Sequence, residues 1–264
     1  MSHATAPIGA LDTAALPRHL PWDGTFNVRD VGGYRADGGT VRWRRLLRAD
    51  SLAHLTDEGR AAMASAGVRA VIDLRTTSER QHLPDALPET DLQVHPSPLF
   101  EFAADVAGVP TGTTSLESIY RHVIDTAGPR ISRAVEPLTD HGTLPAVVHC
   151  TAGKDRTGLV IALVLSAIGV PDDEIATDFA ASRGHLSGGF LERVRARHDQ
   201  HGVPFEDDAV EMYVGSDAEL IHAALDRVRR GYGDAAGYLE HHGLSAEQLH
   251  RLHATLVEPA PPAG

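Results

Sequence analysis

Pro145-Ala146-Val147-Val148-His149-Cys150-Thr151-Ala152-Gly153-Lys154-Asp155-Arg156-Thr157-Gly158 passes from an apolar stretch into a polar loop, and an apolar run resumes at Leu159. Pro145 to His149 reads as a short buried strand. Thr157 to Ile168 reads as a helix apolar on nearly every side, hence a core helix. A strand, a tight loop and a helix N-terminus in that order point successive backbone N–H groups into one hollow, which suits a tetrahedral dianion. Gly153 lets the chain turn without a Cβ clash. Arg156, with five residues between it and Cys150, offers two parallel N–H donors to two oxygens of such an anion. The same donors and the positive helix end stabilise a thiolate at Cys150. The competing reading of Cys150 is an inert buried thiol. H-C-x5-R-T-G between an apolar strand and an apolar helix is too many independent matches for that.

Outward from this loop, strands and helices alternate. Thr56 is an N-cap for a helix that stops at Gly67. Val68 to Leu74 reads as a buried strand, and Leu92 to Leu99 as an edge strand or turn because of Pro96 and Pro98. Helices are expected at about 115–126, 129–140, 189–200, 217–230 and 233–242. Another starts at Pro171, and the last runs from Ser245, which with Gln248 forms a capping box, to about Leu256. This pattern predicts an α/β fold with a central, mainly parallel sheet flanked by helices. Residues 1–20 are expected to form a flexible arm, 21–257 a single domain, and 258–264 a disordered tail. Residues 184–215 carry the weakest core signal and read as a mobile cover.

The chain has 264 residues, one cysteine, and a single lysine among 24 Lys and Arg. One cysteine excludes an internal disulfide framework and a Cys-rich zinc site. A hydrophobic fraction of 42% and a charged fraction of 23% fit a globular protein. The net charge of −12 argues against a general nucleic-acid or anionic-membrane surface. Leu159 to Val170 is too short for the ~20 residues that span a bilayer. The N-terminus lacks the basic-then-apolar pattern of a signal peptide. A cytoplasmic location is expected, with signal-less export the alternative. His241-His242 and the other histidines lack metal-ligand spacing, so neither metal nor cofactor is expected.

The loop resembles the signature loop of the cysteine-dependent phosphatases of the protein-tyrosine-phosphatase superfamily. Its form H-C-T-A-G-K-D-R-T-G is similar to the atypical bacterial tyrosine/lipid phosphatases. Phe26-Asn27-Val28-Arg29-Asp30-Val31-Gly32-Gly33 resembles that family's N-x-R-D-x-G-G motif. Val71-Ile72-Asp73-Leu74-Arg75-Thr76 with Glu79 resembles its D-L-R-T-x-x-E segment, and Ala236-Gly237-Tyr238-Leu239 before Gly243-Leu244-Ser245 resembles its C-terminal end. The likeness spans roughly residues 25–255. It implies a cysteine-phosphatase fold with a helical lid insertion, and phosphomonoester hydrolysis through a phosphocysteine intermediate.

It also implies roles. Cys150 attacks phosphorus in line. Arg156 and the amides from Thr151, Ala152, Gly153, Lys154 and Asp155 to Arg156 hold the equatorial oxygens. Thr157 donates to the sulfur, or caps the helix. His149 fixes the loop backbone and assists the thiolate, or is purely structural. The general acid is Asp155, inside the loop, or Asp73, at the end of a parallel strand. Lys154 contacts a second phosphate, as the lysine matching it in tensin-type lipid phosphatases implies, or is a solvated rim residue. Asn27, Arg29 and Asp30 support the loop, with Arg29 and Asp30 pairing with each other. Arg42, Arg44, Arg45 and Arg48 read as a solvated strand face. The expected substrate is a phosphorylated protein, phosphotyrosine first, with lipid phosphoinositides next. The alternatives are a small-molecule phosphatase acting on a nucleoside, sugar or inositol phosphate, and a phosphate-binding pseudophosphatase.

Overall fold

The computed structural model describes residues 17–99, 115–206 and 209–260. Its main sheet has five strands: β1 (Arg29–Asp30), β4 (Leu46–Ala49), β5 (Ala70–Asp73), β6 (Gln93–Pro96) and β7 (Ala146–His149). They lie in the order β1-β4-β7-β5-β6, with β1 antiparallel to β4 and the other neighbours parallel. A second, antiparallel sheet joins β2 (Arg35–Ala36), β3 (Gly39–Val41) and β8 (Val257–Pro259) in the order β2-β3-β8.

The helices are α1 (Asp57–Ser65), α2 (Thr77–His82), α3 (Leu116–Thr126), α4 (Gly128–Val135), α5 (Asp155–Ala167), α6 (Asp172–Leu186), α7 (Gly189–Gln200), α8 (Val210–Val214), α9 (Ala218–Tyr232), α10 (Ala235–His241) and α11 (Ala246–Leu256). The caps act where the sequence puts them. Thr56 accepts from Gly59 N, and Ser245 and Gln248 bond each other's backbones. Gly67 ends α1 with φ +68°, a conformation that favours glycine.

The sheet is covered on both faces, so its strands are apolar on both. Leu46, Ile72 and Val148 face one core with α3, α4, α5, α9 and α10, whereas Leu47, Val71 and Val147 face a second with Trp22, Leu55 and Met63. This is the period of two that a strand imposes. Every residue of α5 from Thr157 to Leu165 is buried. Shortening Leu163 to Ala there costs about 2–5 kcal/mol. A third cluster, centred on Leu186, Phe190 and Val214, packs α7 and α8 over the loop residue Ala152. The helical insertion thus has its own small core beside the loop.

The described residues nearest each chain end make contacts with the fold. Leu20 is buried, Arg18 donates to Asp30 O and Gly32 O at 2.8 Å, and its guanidinium lies 3.9 Å from the Tyr34 ring centroid. Glu258 and Pro259 do not fray: they pair with Thr40 and Gly39 on β3. A strand edge offers the partners that a tail cannot find alone. Residues 1–16 of the arm and 261–264 of the tail lie outside the described residues, as do 207 and 208 of the cover.

Candidate active site

The register sets Ala49, His149 and Asp73 side by side at the C-terminal ends of β4, β7 and β5. This is where ligands gather in open α/β sheets. The next residue of β7's strand is Cys150, 3% exposed. From Cys150 to Lys154 the loop carbonyls turn outward, each with a donor near it. Ser51 N bonds Thr151 O at 3.1 Å, Asn27 Nδ2 bonds Ala152 O at 3.0 Å, and Arg48 Nη2 bonds Gly153 O at 2.7 Å. Gly158 N bonds Lys154 O at 2.7 Å, and His149 Nδ1 lies 3.3 Å from Cys150 O. The N–H groups of Thr151, Ala152, Gly153 and Lys154 find no protein acceptor among the described residues. Carbonyls out and amides unspent is the arrangement that cradles an oxyanion. Gly153 has φ +65°, and a Cβ there would lie 2.4 Å from Ala49 O.

Glu79 orients the arginine. Arg156 donates through Nη1 to Glu79 Oε2 and through Nη2 to Oε1, both at 2.7 Å, and Thr151 Oγ1 donates to Oε1 at 2.5 Å. Burial pushes the Glu79 carboxyl up, but these bonds and that from Thr76 N outweigh it and hold it down at about 2. The carboxylate is therefore charged throughout the working pH range. Glu79 also closes the capping box of α2 with Thr76, so its backbone is fixed as well.

Behind the loop lie two buried charge clusters. In the first, Arg48 Nη1 meets Asp178 Oδ2 at 2.5 Å, Arg29 Nε lies 3.7 Å from Asp178 Oδ1, and Arg29 also reaches Asn27 and Ser182. Arg29 and Asp30 do not pair. Neighbours on a strand point to opposite faces, and Asp30 instead accepts from Gly32 N and Arg44 N. Nor are the four arginines one solvated face, because Arg48 is fully buried and grips the loop. In the second cluster, Arg75 Nη2 lies 2.8 Å from both Asp73 Oδ2 and Asp85 Oδ2. Asp73 also accepts from Arg75 Nε and Arg75 N. Burial raises the Asp73 carboxyl, but Arg75 and His149 bring it below its ordinary value. The Asp73 carboxylate is thus engaged by Arg75 behind the loop and does not line the cavity. His149, fully buried, has Nε2 3.3 Å from Asp85 Oδ2 and braces the rear of the loop. Asp73, Asp85 and His149 offer atoms close enough for a metal ion, yet the Arg75 guanidinium already supplies the cation there.

In front of the loop is a cavity of about 730 Å³ whose lining includes Cys150, Arg156, Glu79 and Asp155. Leu116, Ile119, Tyr120, Phe190 and Val194 form apolar walls, and Arg193 and Arg197 of α7 bring positive charge. Asp155 Oδ1 accepts from the Tyr120 hydroxyl at 2.6 Å. Lys154 departs from both of its expected positions. It is fully buried, and Nζ donates to Met212 O of α8 at 2.8 Å instead of lining the cavity or its solvated rim. The side chain thus runs to the backbone of the helical insertion. Thr157 is buried in the first turn of α5, and its hydroxyl bonds neither the sulfur nor any other group among the described residues. It does not cap α5 either.

Four further residues bear on the site: Glu79, Arg48, Asp178 and Asp50. Glu79 belongs to the D-L-R-T-x-x-E segment, whose sequence alone gives it no role. Arg48 and Asp178 sit 130 residues apart, and no local signal joins them. Asp50 follows β4, lines the cavity and accepts from Asn27 N at 2.9 Å and Phe26 N at 3.1 Å. Its burial outweighs these bonds and the Arg193 charge, and the carboxyl is pushed up to about 6.

A nucleophilic cysteine, an oriented arginine and an amide cradle in one loop define a cysteine-dependent phosphomonoester hydrolase. The comparisons agree. The model of the tyrosine phosphatase family matches residues 20–258, and the chain belongs to that family. It is 31% identical over 280 residues to the triple specificity protein phosphatase PtpB of Mycobacterium tuberculosis, covering 91% of this chain and 99% of that one. It is 29% identical over 221 residues to a tyrosine-protein phosphatase of Nostoc commune, covering 80% and 73%. The helical insertion, the mostly parallel sheet and the His149-Cys150 to Arg156 loop are those of a tyrosine-phosphatase-type enzyme. Among the described residues no helix is long and apolar enough to cross a membrane.

Proposed function

We propose that the enzyme hydrolyses phosphotyrosine in proteins, with Asp155 as general acid and then general base. The observation that carries this reading is that Asp155 lines the cavity of Cys150 while Asp73 is locked behind the loop by Arg75. In the first step the Cys150 thiolate forms the S–P bond as the P–O bond breaks, and the Asp155 proton passes to the leaving oxygen. In the second, water gives its proton to the Asp155 carboxylate, its oxygen bonds phosphorus, and the thiolate leaves. Arg156 and the loop amides stabilise the equatorial oxygens in both. The Thr157 hydroxyl, which has no partner among the described residues, is the donor for the sulfur as it leaves, a role that would offset the roughly 1–3 kcal/mol that an unsatisfied buried group costs.

The aromatic and aliphatic cavity walls support an aryl phosphate. Arg193 and Arg197, which bring positive charge to the cavity, support a second reading, phosphoinositides. A panel of phosphotyrosine peptide, phosphoserine peptide, phosphoinositides and phosphorylated metabolites separates these, with Cys150→Ser as control. Turnover of metabolites alone would overturn the protein reading. Asp155→Asn is expected to lower kcat/KM by about 10²–10⁴ on aryl phosphates with poor leaving groups. A variant that keeps wild-type turnover of them would remove Asp155 as the acid. We infer a cytoplasmic location, because a lone catalytic thiol has to stay reduced; cell fractionation tests it.

A further inference from the structure

The two carboxylate oxygens of Asp155 stand in different surroundings. Oδ1 accepts from the Tyr120 hydroxyl at 2.6 Å and lies 3.5 Å from the Lys154 ammonium. Oδ2 forms no hydrogen bond or ion pair among the described residues. The same ammonium donates to Met212 O at 2.8 Å. Tyr120 comes from α3 in the body, whereas Met212 lies in α8 of the lid.

We propose that Tyr120 and Lys154 are positioning residues for the acid, and that Lys154 sets the acid only when the lid is seated. This rests on the reading of Asp155 as general acid. The Tyr120 donor and the Lys154 cation beside Oδ1 favour negative charge on that oxygen and leave the proton to Oδ2, which has no partner among the described residues. The Tyr120 ring is buried, packed edge-on against Phe179 at 6.1 Å, and has few places to go. Burial first, and then the Asp155 charge, push its hydroxyl well above the ordinary phenol value, so it remains a donor at any working pH. Lys154 has a different character. A buried ammonium is costly without partners, and of its two partners one belongs to the catalytic loop and the other to the lid backbone. When α8 lifts, the ammonium loses a bond and gains water. Its hold on Oδ1 then weakens, because water screens the pair. The lone lysine therefore reports the lid's position to the acid.

The test uses a series of aryl phosphates whose phenols range from good to poor leaving groups. An acid matters most for the poor ones. Tyr120→Phe keeps the ring and removes the hydroxyl. It is expected to lower kcat/KM about tenfold for the poorest leaving group and little for the best. Lys154→Met is expected to give the same graded loss. In an Asp155→Asn background neither substitution adds a graded loss. Val214→Ala, which loosens α8 from its core without lining the cavity, is expected to give a graded loss in the wild type and none in Lys154→Met. Uniform loss across the series for Tyr120→Phe, or an undiminished graded loss in Asp155→Asn, would overturn the positioning role. A Val214→Ala enzyme with no graded loss would overturn the lid link. If Lys154→Met does not fold, Lys154→Gln replaces it under the same criteria. If Asp155→Asn alone leaves the series unchanged, the acid assignment fails, and that result is distinct from the others.

Discussion

The two sides of the Cys150 loop use the same residue types for opposite ends. Behind it, the side chains of Arg48, Arg29 and Asp178 are at most 2% exposed, and each cation is held by a carboxylate. In front, Arg156 and Glu79 also form a pair, but their side chains are 13% and 32% exposed and open on the cavity. A buried pair contributes little net stability, because desolvation offsets attraction, yet losing one partner is severe. A cavity-facing pair can hold one edge of a guanidinium while substrate arrives. The rear fixes the backbone, and the front aims the chemistry.

That contrast can be broken in four places. Cys150→Ser is expected to cut turnover by more than about 10³ with the fold intact, since the nucleophile is lost and no rear contact is touched. Steady-state kinetics with circular dichroism checks it. Asp178→Asn should act in the opposite way. It leaves two buried guanidinium groups without a counter-charge, and denaturant unfolding should show a loss of about 3–5 kcal/mol. A loss no larger than that of a surface substitution would erase the distinction between the two sides. Glu79→Gln removes the charge that aims Arg156, so kcat/KM should fall about 10–100-fold with little change in Tm. Its carboxyl sits at about 2, so the acid limb of the pH–rate profile above pH 4 should belong to other groups and survive in the variant.

The smallest effect is at Asp50. Its carboxyl is raised from 3.8 to about 6, so between those values the folded state holds a proton that the unfolded state has released. Stability should therefore fall as pH rises through that window and level off above about pH 6. Asp50→Asn, which still accepts from Asn27 N and Phe26 N, removes the cost of the buried charge. It should stabilise the protein by about 1–3 kcal/mol at pH 7.5 and by less at pH 5. Equal shifts at both pH values would refute this account.

Much of the fold is legible in the chain. The helix over 189–200 has the bounds read from the sequence, Ser245 caps where its spacing says, and the strand before Cys150 and the helix after it lie as expected. Caps, periods and breakers act within a few residues, which is why they can be read. Charge partners escaped that reading. The Arg29–Asp30 neighbourhood suggested a local pair, and the structure sends the two side chains to different faces. The tail carries no helix or strand signal, yet β3 supplies an edge for its first residues, Glu258 and Pro259.

The sequence by itself pointed to Cys150, Arg156 and the loop between them, because a spacing of five residues brings both ends of one loop to one anion, although distant residues such as Asn27, Arg48 and Glu79 hold it there. Only the tertiary structure decided which aspartate faces the cavity, which carboxylate aims Arg156, and that the single lysine turns toward the lid. Those choices depend on which distant segments meet, and on the cost of leaving a charge unpaired where they do.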